Sequence, residues 1–148
     1  MPQKRAGALG IHSIDHFGLQ VPDLAVARSF YEAFGLDVRA EGAGLGIYAK
    51  NNDHCWSRVV LASAKQLRYL SFGIYAEDEA ALHADLDAKG VTRIAALSGA
   101  PEGGIWIEGF DGLPLHIQVS TKCSPDDKTA FENISSKAGT SGAVFNSA

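Results

Sequence analysis

His16 stands in the segment IDHFGLQVPDLAVARSFYEAFGLDV, Ile14 to Val38, where a strand-like stretch runs into a helix-like one. An imidazole there can bind a metal, exchange a proton near neutral pH, or serve as an ordinary strand residue. Which of these it does depends on what the fold sets opposite it. Other chemistry-bearing side chains are sparse. His54 and Cys55 are adjacent in NNDHCW, and neighbouring strand residues point to opposite faces, so they are poorly placed to share one metal. His83 falls among Glu77, Asp78 and Asp85 and reads as solvated, while His12 reads as a surface residue ahead of the first strand. Cys55 and Cys123 are far apart and lack metal-site spacing. No Ser or Cys sits beside a base in a nucleophile motif, and the glycine pairs match no phosphate-binding loop.

The elements that must position these residues follow from hydrophobic period. Ile14 to Val21 alternates as a strand, with Phe17, Leu19 and Val21 on one face and Ile14, His16, Gly18 and Gln20 on the other. Pro22 and Asp23 open a helix with Asp23 as N-cap. Val26, Ala27, Phe30, Ala33 and Phe34 give that helix a core-facing stripe, and Gly35 closes it. Three strand-like runs follow, Leu36 to Glu41, Gly46 to Lys50 and Ser57 to Ala62, separated by EGAGLG and NNDH.

The same order then recurs. YLSFGIYA is a second alternating strand and EDEAALHADLDAKG a second helix ending at Gly90; strands are expected at Val91 to Leu97, Gly104 to Gly109 and Leu113 to Ser120. A shift of 55 residues lays Phe17-Gly18 on Phe72-Gly73, Asp23 on Asp78 and Gly35 on Gly90. Three matches at one offset, with the element order repeated, indicate an internal duplication. The expected fold is α+β: two βαβββ modules, residues ~11-63 and ~68-120, forming one paired-module domain around a central cleft. Residues 1-10 read as an N-terminal extension and 121-148 as a linker or arm, since Phe131, Ile134, Val144 and Phe145 are too sparse to make a core.

Composition bounds the function without naming it. The chain has 148 residues, 46% hydrophobic and 20% charged, with a formal net charge of -4 and no Lys/Arg cluster. That balance argues against a nucleic-acid partner. No apolar run approaches the roughly 20 residues needed to span a bilayer, so no membrane partner is expected. Two unpaired cysteines and the lack of a secretory leader fit a cytoplasmic protein.

The module order, the opening IDHFGLQVPDLAVARSFYEAFGL and the closing GFDGLPLHIQVS resemble the vicinal oxygen chelate superfamily of glyoxalases, bleomycin-resistance proteins and type I extradiol dioxygenases. Within it, RYLSFGIYAEDE and DGLPLHI are most similar to the N-terminal domain of catechol 2,3-dioxygenase-like enzymes, and CSPDDKTAFENISS resembles the segment leading to their catalytic domain. The resemblance implies a metal held by three cleft side chains, two His and one Glu in the dioxygenases, with Fe(II) or Mn(II) as cofactor. It carries the three ligand-equivalent positions onto His16, Tyr69 (where the family reads HLSFG) and His116 (where catalytic relatives read Asp-Gly-x-x-x-Glu). Two of the three depart from the pattern.

Alternation places all three toward the cleft. Tyr69 shares a face with Ser71, Gly73 and Tyr75, and His116 with Pro114, Gln118 and Ser120. Non-haem Fe(II) sites favour two imidazoles and a carboxylate. Here the third group is an imidazole and the second a phenol of ordinary pKa about 10. Glu108, on a face with Trp106 and Phe110, could supply a carboxylate but reads as a rim residue, and Asp111-Gly112 reads as a turn. The ligand-equivalent set is therefore expected to be unoccupied, with no cofactor in this chain. Three readings follow. The first is a non-catalytic N-terminal domain whose partner is a catalytic second domain, or which self-associates. The second is a metal-free module that binds a small aromatic ligand in a cleft lined by Tyr48, Tyr69, Tyr75 and Trp106. The third is a small glyoxalase- or epimerase-like metalloenzyme using His16, His116 and Glu108.

Overall fold

The computed structural model describes residues 9–123. The expectations for residues 1–8 and for the arm from 124 onward lie outside them. The described chain runs β1 (Ile11–Val21), α1 (Leu24–Ala33), β2 (Asp37–Glu41), β3 (Gly44–Tyr48) and β4 (Cys55–Leu61). It continues through β5 (Gln66–Ile74), α2 (Glu79–Ala88), β6 (Ile105–Glu108) and β7 (Pro114–Val119). The strands form one seven-stranded sheet in the order β2-β3-β4-β1-β5-β7-β6.

The duplication is legible in the pairing. β1 lies parallel to β4, and β5 lies parallel to β7. The two halves join where β1 and β5 run antiparallel, so the first strand of each module meets at the centre. Both helices are followed by a glycine in the left-handed region, Gly35 at φ 96° and Gly90 at φ 70°, which explains why the repeat preserves glycine there. The caps differ. The Asp23 carboxylate accepts from the Val26 amide at 3.0 Å, whereas α2 is entered through a 3-10 turn, Ala76–Asp78, and Asp78 does not cap it in that way.

One expected strand is reduced to a single bridge. Residues 91–97 pair with the sheet through the Arg93–Ile107 bridge and an Ile94 amide bonded to the Trp106 carbonyl at 2.9 Å, and Val91 packs on the core of the second half. This run would have been the edge strand equivalent to β2. Two consecutive alanines, Ala95 and Ala96, give it little apolar surface to hold it against the sheet.

Leu19, Val21, Val38, Ile47 and Val59 pack with Ala27 and Tyr31 of α1; Ile74, Ile105, Ile107 and Ile117 pack with Leu82 and Leu86 of α2. Both helices cover the face opposite His16 and Tyr69. The stripe expected on α1 is rotated. Leu24, Ala27 and Tyr31 face the sheet, while Val26, Phe30 and Phe34 are 65, 62 and 59% exposed. The spacing 24, 27, 31 makes one helical face, and 26, 30, 34 makes the neighbouring one. Both are apolar in sequence, so period alone could not choose between them.

Candidate functional site

The site begins with a bulge. Ile14 pairs with Phe72 and His16 with Ser71, so β1 advances two residues where β5 advances one. The extra residue, Asp15, turns inward beside His16 and both are buried. Simple alternation had placed Ile14 with His16; the bulge reverses that, and Ile14 is exposed. It also brings in a carboxylate that alternation assigned to the other face.

A chain of hydrogen bonds follows. His16 Nδ1 donates to Asp15 Oδ2 at 2.7 Å, and the Gln118 amide donates to the same oxygen at 3.1 Å. His16 Nε2 lies 2.9 Å from the Tyr69 hydroxyl, whose only partner among the described residues it is. The phenol therefore donates and Nε2 accepts. Burial pushes the Tyr69 phenol up to about 12, with the Arg58 and Arg68 charges acting against it, so the donor proton stays in place at neutral pH. Burial raises the Asp15 carboxyl, but the hydrogen bond and charge of His16 outweigh it and hold Asp15 below the ordinary carboxylate range.

His116 closes a second chain. Its Nε2 stands 2.8 Å from the Gly103 carbonyl, which can only accept, so Nε2 carries the proton. Nδ1 then accepts from the Ser71 hydroxyl at 2.8 Å. Burial lowers the His116 pKa, in keeping with this neutral form. Trp106 stacks on the imidazole at 4.6 Å and meets Tyr69 edge-on at 5.1 Å. His16, Tyr69 and His116 are thus brought together, with ring centroids 5.4 Å apart for His16–Tyr69 and 6.4 Å for His16–His116.

The donor set does not fit a two-imidazole, one-carboxylate metal. Both His116 nitrogens are engaged inside the protein, the His16 lone pair faces a phenol proton, and Tyr69 is held as a phenol. The Asp15 carboxylate is engaged by His16 and Gln118, and Glu108 is exposed at the rim. Among the described residues no three His, Cys, Asp or Glu side chains gather as ligands.

Other candidates settle differently. His12 lies within β1, half-buried, with Nε2 2.9 Å from the Ser120 carbonyl and its ring against Tyr75, so it is no loose surface residue. His54 turns away from Cys55: its Nε2 donates to the Asp15 carbonyl at 2.6 Å, and its Nδ1 meets Cys123 Sγ at 3.2 Å. His83 is half-buried, with Nδ1 3.5 Å from an Arg93 guanidinium nitrogen, not simply solvated. Of the expected aromatic lining, Tyr48 donates its hydroxyl to Glu41 and carries the Arg39 guanidinium over its ring at 3.8 Å. Sequence reasoning missed Asp15 and did not pair Ser71 with His116. The duplication offers a signal for Ser71, because the 55-residue shift lays His16 on it.

No protein-family model matches the chain. It is 37% identical over 137 residues, 93% of its length, to metapyrocatechase 2 of Cupriavidus necator, of which it spans 42%. Among solved structures it superposes on a catechol 2,3-dioxygenase with a TM-score of 0.65 at 16% identity, covering 76% of this chain and 40% of that one. It superposes on an extradiol ring-cleaving dioxygenase from B. fuscum at 0.62 and 22%, covering 82% and 36%. It superposes on an Mn(II)-bound glyoxalase from Novosphingobium aromaticivorans at 0.59 and 23%, covering 80% and 42%. The chain has the vicinal oxygen chelate fold and is like an N-terminal half of an extradiol dioxygenase.

Proposed function

We propose that this chain is the non-catalytic N-terminal domain of an extradiol ring-cleaving dioxygenase, whose whole-protein reaction opens a catechol with dioxygen. The observation that carries the reading is the donor set: a protonated phenol and two imidazoles already hydrogen-bonded within the protein. In this reading Fe(II) or Mn(II) belongs to a second domain of the same fold, and this one serves as its structural partner. The span of 42% of the metapyrocatechase length supports it. So does the α1 stripe of Val26, Phe30 and Phe34, an apolar face in need of a partner. The free thiols of Cys55 and Cys123 fit a reducing, cytoplasmic setting.

The test is activity of the chain alone and joined to a catalytic half. Supplied with Fe(II), catechol and dioxygen, the chain by itself is expected to consume neither substrate. Fused to the remaining portion of metapyrocatechase 2, it is expected to support dioxygen uptake. Sustained ring opening by the isolated chain would overturn the reading.

A further inference from the structure

Past the end of β7 the chain brings a thiol onto an imidazole, with Cys123 Sγ 3.2 Å from His54 Nδ1. The two residues are 69 apart in sequence and meet only in the fold. His54 Nε2 lies 2.6 Å from the Asp15 carbonyl, which can only accept, so Nε2 carries the proton and Nδ1 presents a lone pair. Trp56 meets the imidazole edge-on at 4.2 Å and holds the ring from a second side. The thiol therefore faces a base whose tautomer and direction are both set.

Electrostatics decide which form of the pair reacts. Burial and the Asp15 carboxylate hold the Cys123 thiol above its ordinary range, so at neutral pH it keeps its proton. Left to itself, such a thiol reacts more slowly in the folded chain than in the unfolded one, because the thiolate is the nucleophile. The same carboxylate attracts a positive charge on His54, the cation that forms when the thiol proton crosses to Nδ1. Cys123 is exposed, and its second acceptor, the Thr121 carbonyl at 3.5 Å, is no base. Cys55 offers the contrast. It is half-buried, its thiol donates to the Ser57 carbonyl at 3.2 Å, and burial with Glu41 nearby raises its pKa.

We infer that Cys123 is a modification site for electron-poor alkenes, the enones and quinones as a class, with His54 as the base that takes the thiol proton. In the step, the S–H proton passes to His54 Nδ1 while the sulfur electron pair forms a C–S bond to the β-carbon of the alkene. The alkene π pair moves to the carbonyl oxygen as an enolate, and the imidazolium returns its proton to that enolate. The product is a thioether, and no oxidant or reductant takes part. The inference is independent of the domain reading, since neither residue is among the three ligand-equivalent positions.

The test uses the full chain with N-ethylmaleimide as probe, the rate at each cysteine being read by peptide mass mapping. At neutral pH Cys123 is expected to be alkylated before Cys55, and about tenfold or more faster in the folded chain than in urea. His54→Gln is expected to bring the folded rate down to the unfolded one or below it. The two proteins should converge as the pH rises through the thiol range, where hydroxide replaces the base. The comparison of folded with unfolded wild type stands even where that variant fails to fold. Earlier alkylation of Cys55, a folded Cys123 rate no greater than the unfolded one, or an unchanged pH profile in folded His54→Gln would each overturn the inference.

Discussion

Gly18 and Tyr69 face each other across β1 and β5, and the Tyr69 ring fills the volume that a side chain at Gly18 would need. A Cβ built on Gly18 would lie 2.1 Å from Tyr69 Cε1. The phenol can reach His16 only because this position is bare. Gly18→Ala is therefore expected to push the ring aside, break the Tyr69–His16 bond and cost about 1–3 kcal/mol, as overpacking does. Urea denaturation checks it: a midpoint equal to that of the wild type would show that the ring moves freely.

Tyr69→Phe removes the donor to a buried imidazole nitrogen while keeping the ring. The expected loss is about 1–3 kcal/mol, the range for a buried acceptor left unsatisfied. An alkaline absorbance titration gives an independent check. A phenol with a midpoint near 12 should be present in the wild type and missing from the variant.

Acid stability should follow His116 and Asp15. Burial lowers the His116 pKa from the ordinary imidazole value of 6.5, so the unfolded chain binds its proton first as pH falls. That contribution is complete above pH 6.5 and lost as pH falls through the folded value. Asp15, held below the ordinary 3.8, behaves likewise at lower pH: complete above 3.8, lost below it. Denaturation measured from pH 8 to 2 should show stability declining below about 6.5 and further below about 3.8, and His116→Gln should flatten the first decline. An unchanged slope in the variant would remove His116 from the account.

The donor-set reading predicts a gain of function. Tyr69→His combined with His116→Glu restores two imidazoles and one carboxylate at the three positions. The double variant is expected to take up about one divalent ion per chain, against far less than one for the wild type. Elemental analysis after dialysis, on protein without a histidine tag, decides it. Stoichiometric metal in the wild type, lost in His16→Ala, would defeat the reading.

The exposed stripe of α1 yields an asymmetry. Phe30→Glu should scarcely move the thermal transition, because Phe30 lies outside the core, while Ala27→Glu at the sheet-facing position should unfold the domain. In a fusion with a catalytic half, Phe30→Glu should weaken the association of the two domains. Limited proteolysis of the joint reads this directly, and unchanged protection would place the contact elsewhere.

Much of this was legible in the sequence. Both helices, most of the strands, the 55-residue duplication and the Asp23 cap follow from period and spacing, while the family resemblance singled out His16, Tyr69 and His116, which the fold brings together. Hydrophobic period reports which face a residue takes when the ladder is regular, and most of this sheet is regular. It carries no sign of an inserted residue, so only the fold could bring Asp15 inward next to His16. Nor does it report cross-strand hydrogen bonding, which depends on how far each strand has slid past its neighbour. Register alone set Ser71 against His116, and packing alone chose which apolar face of α1 met the sheet.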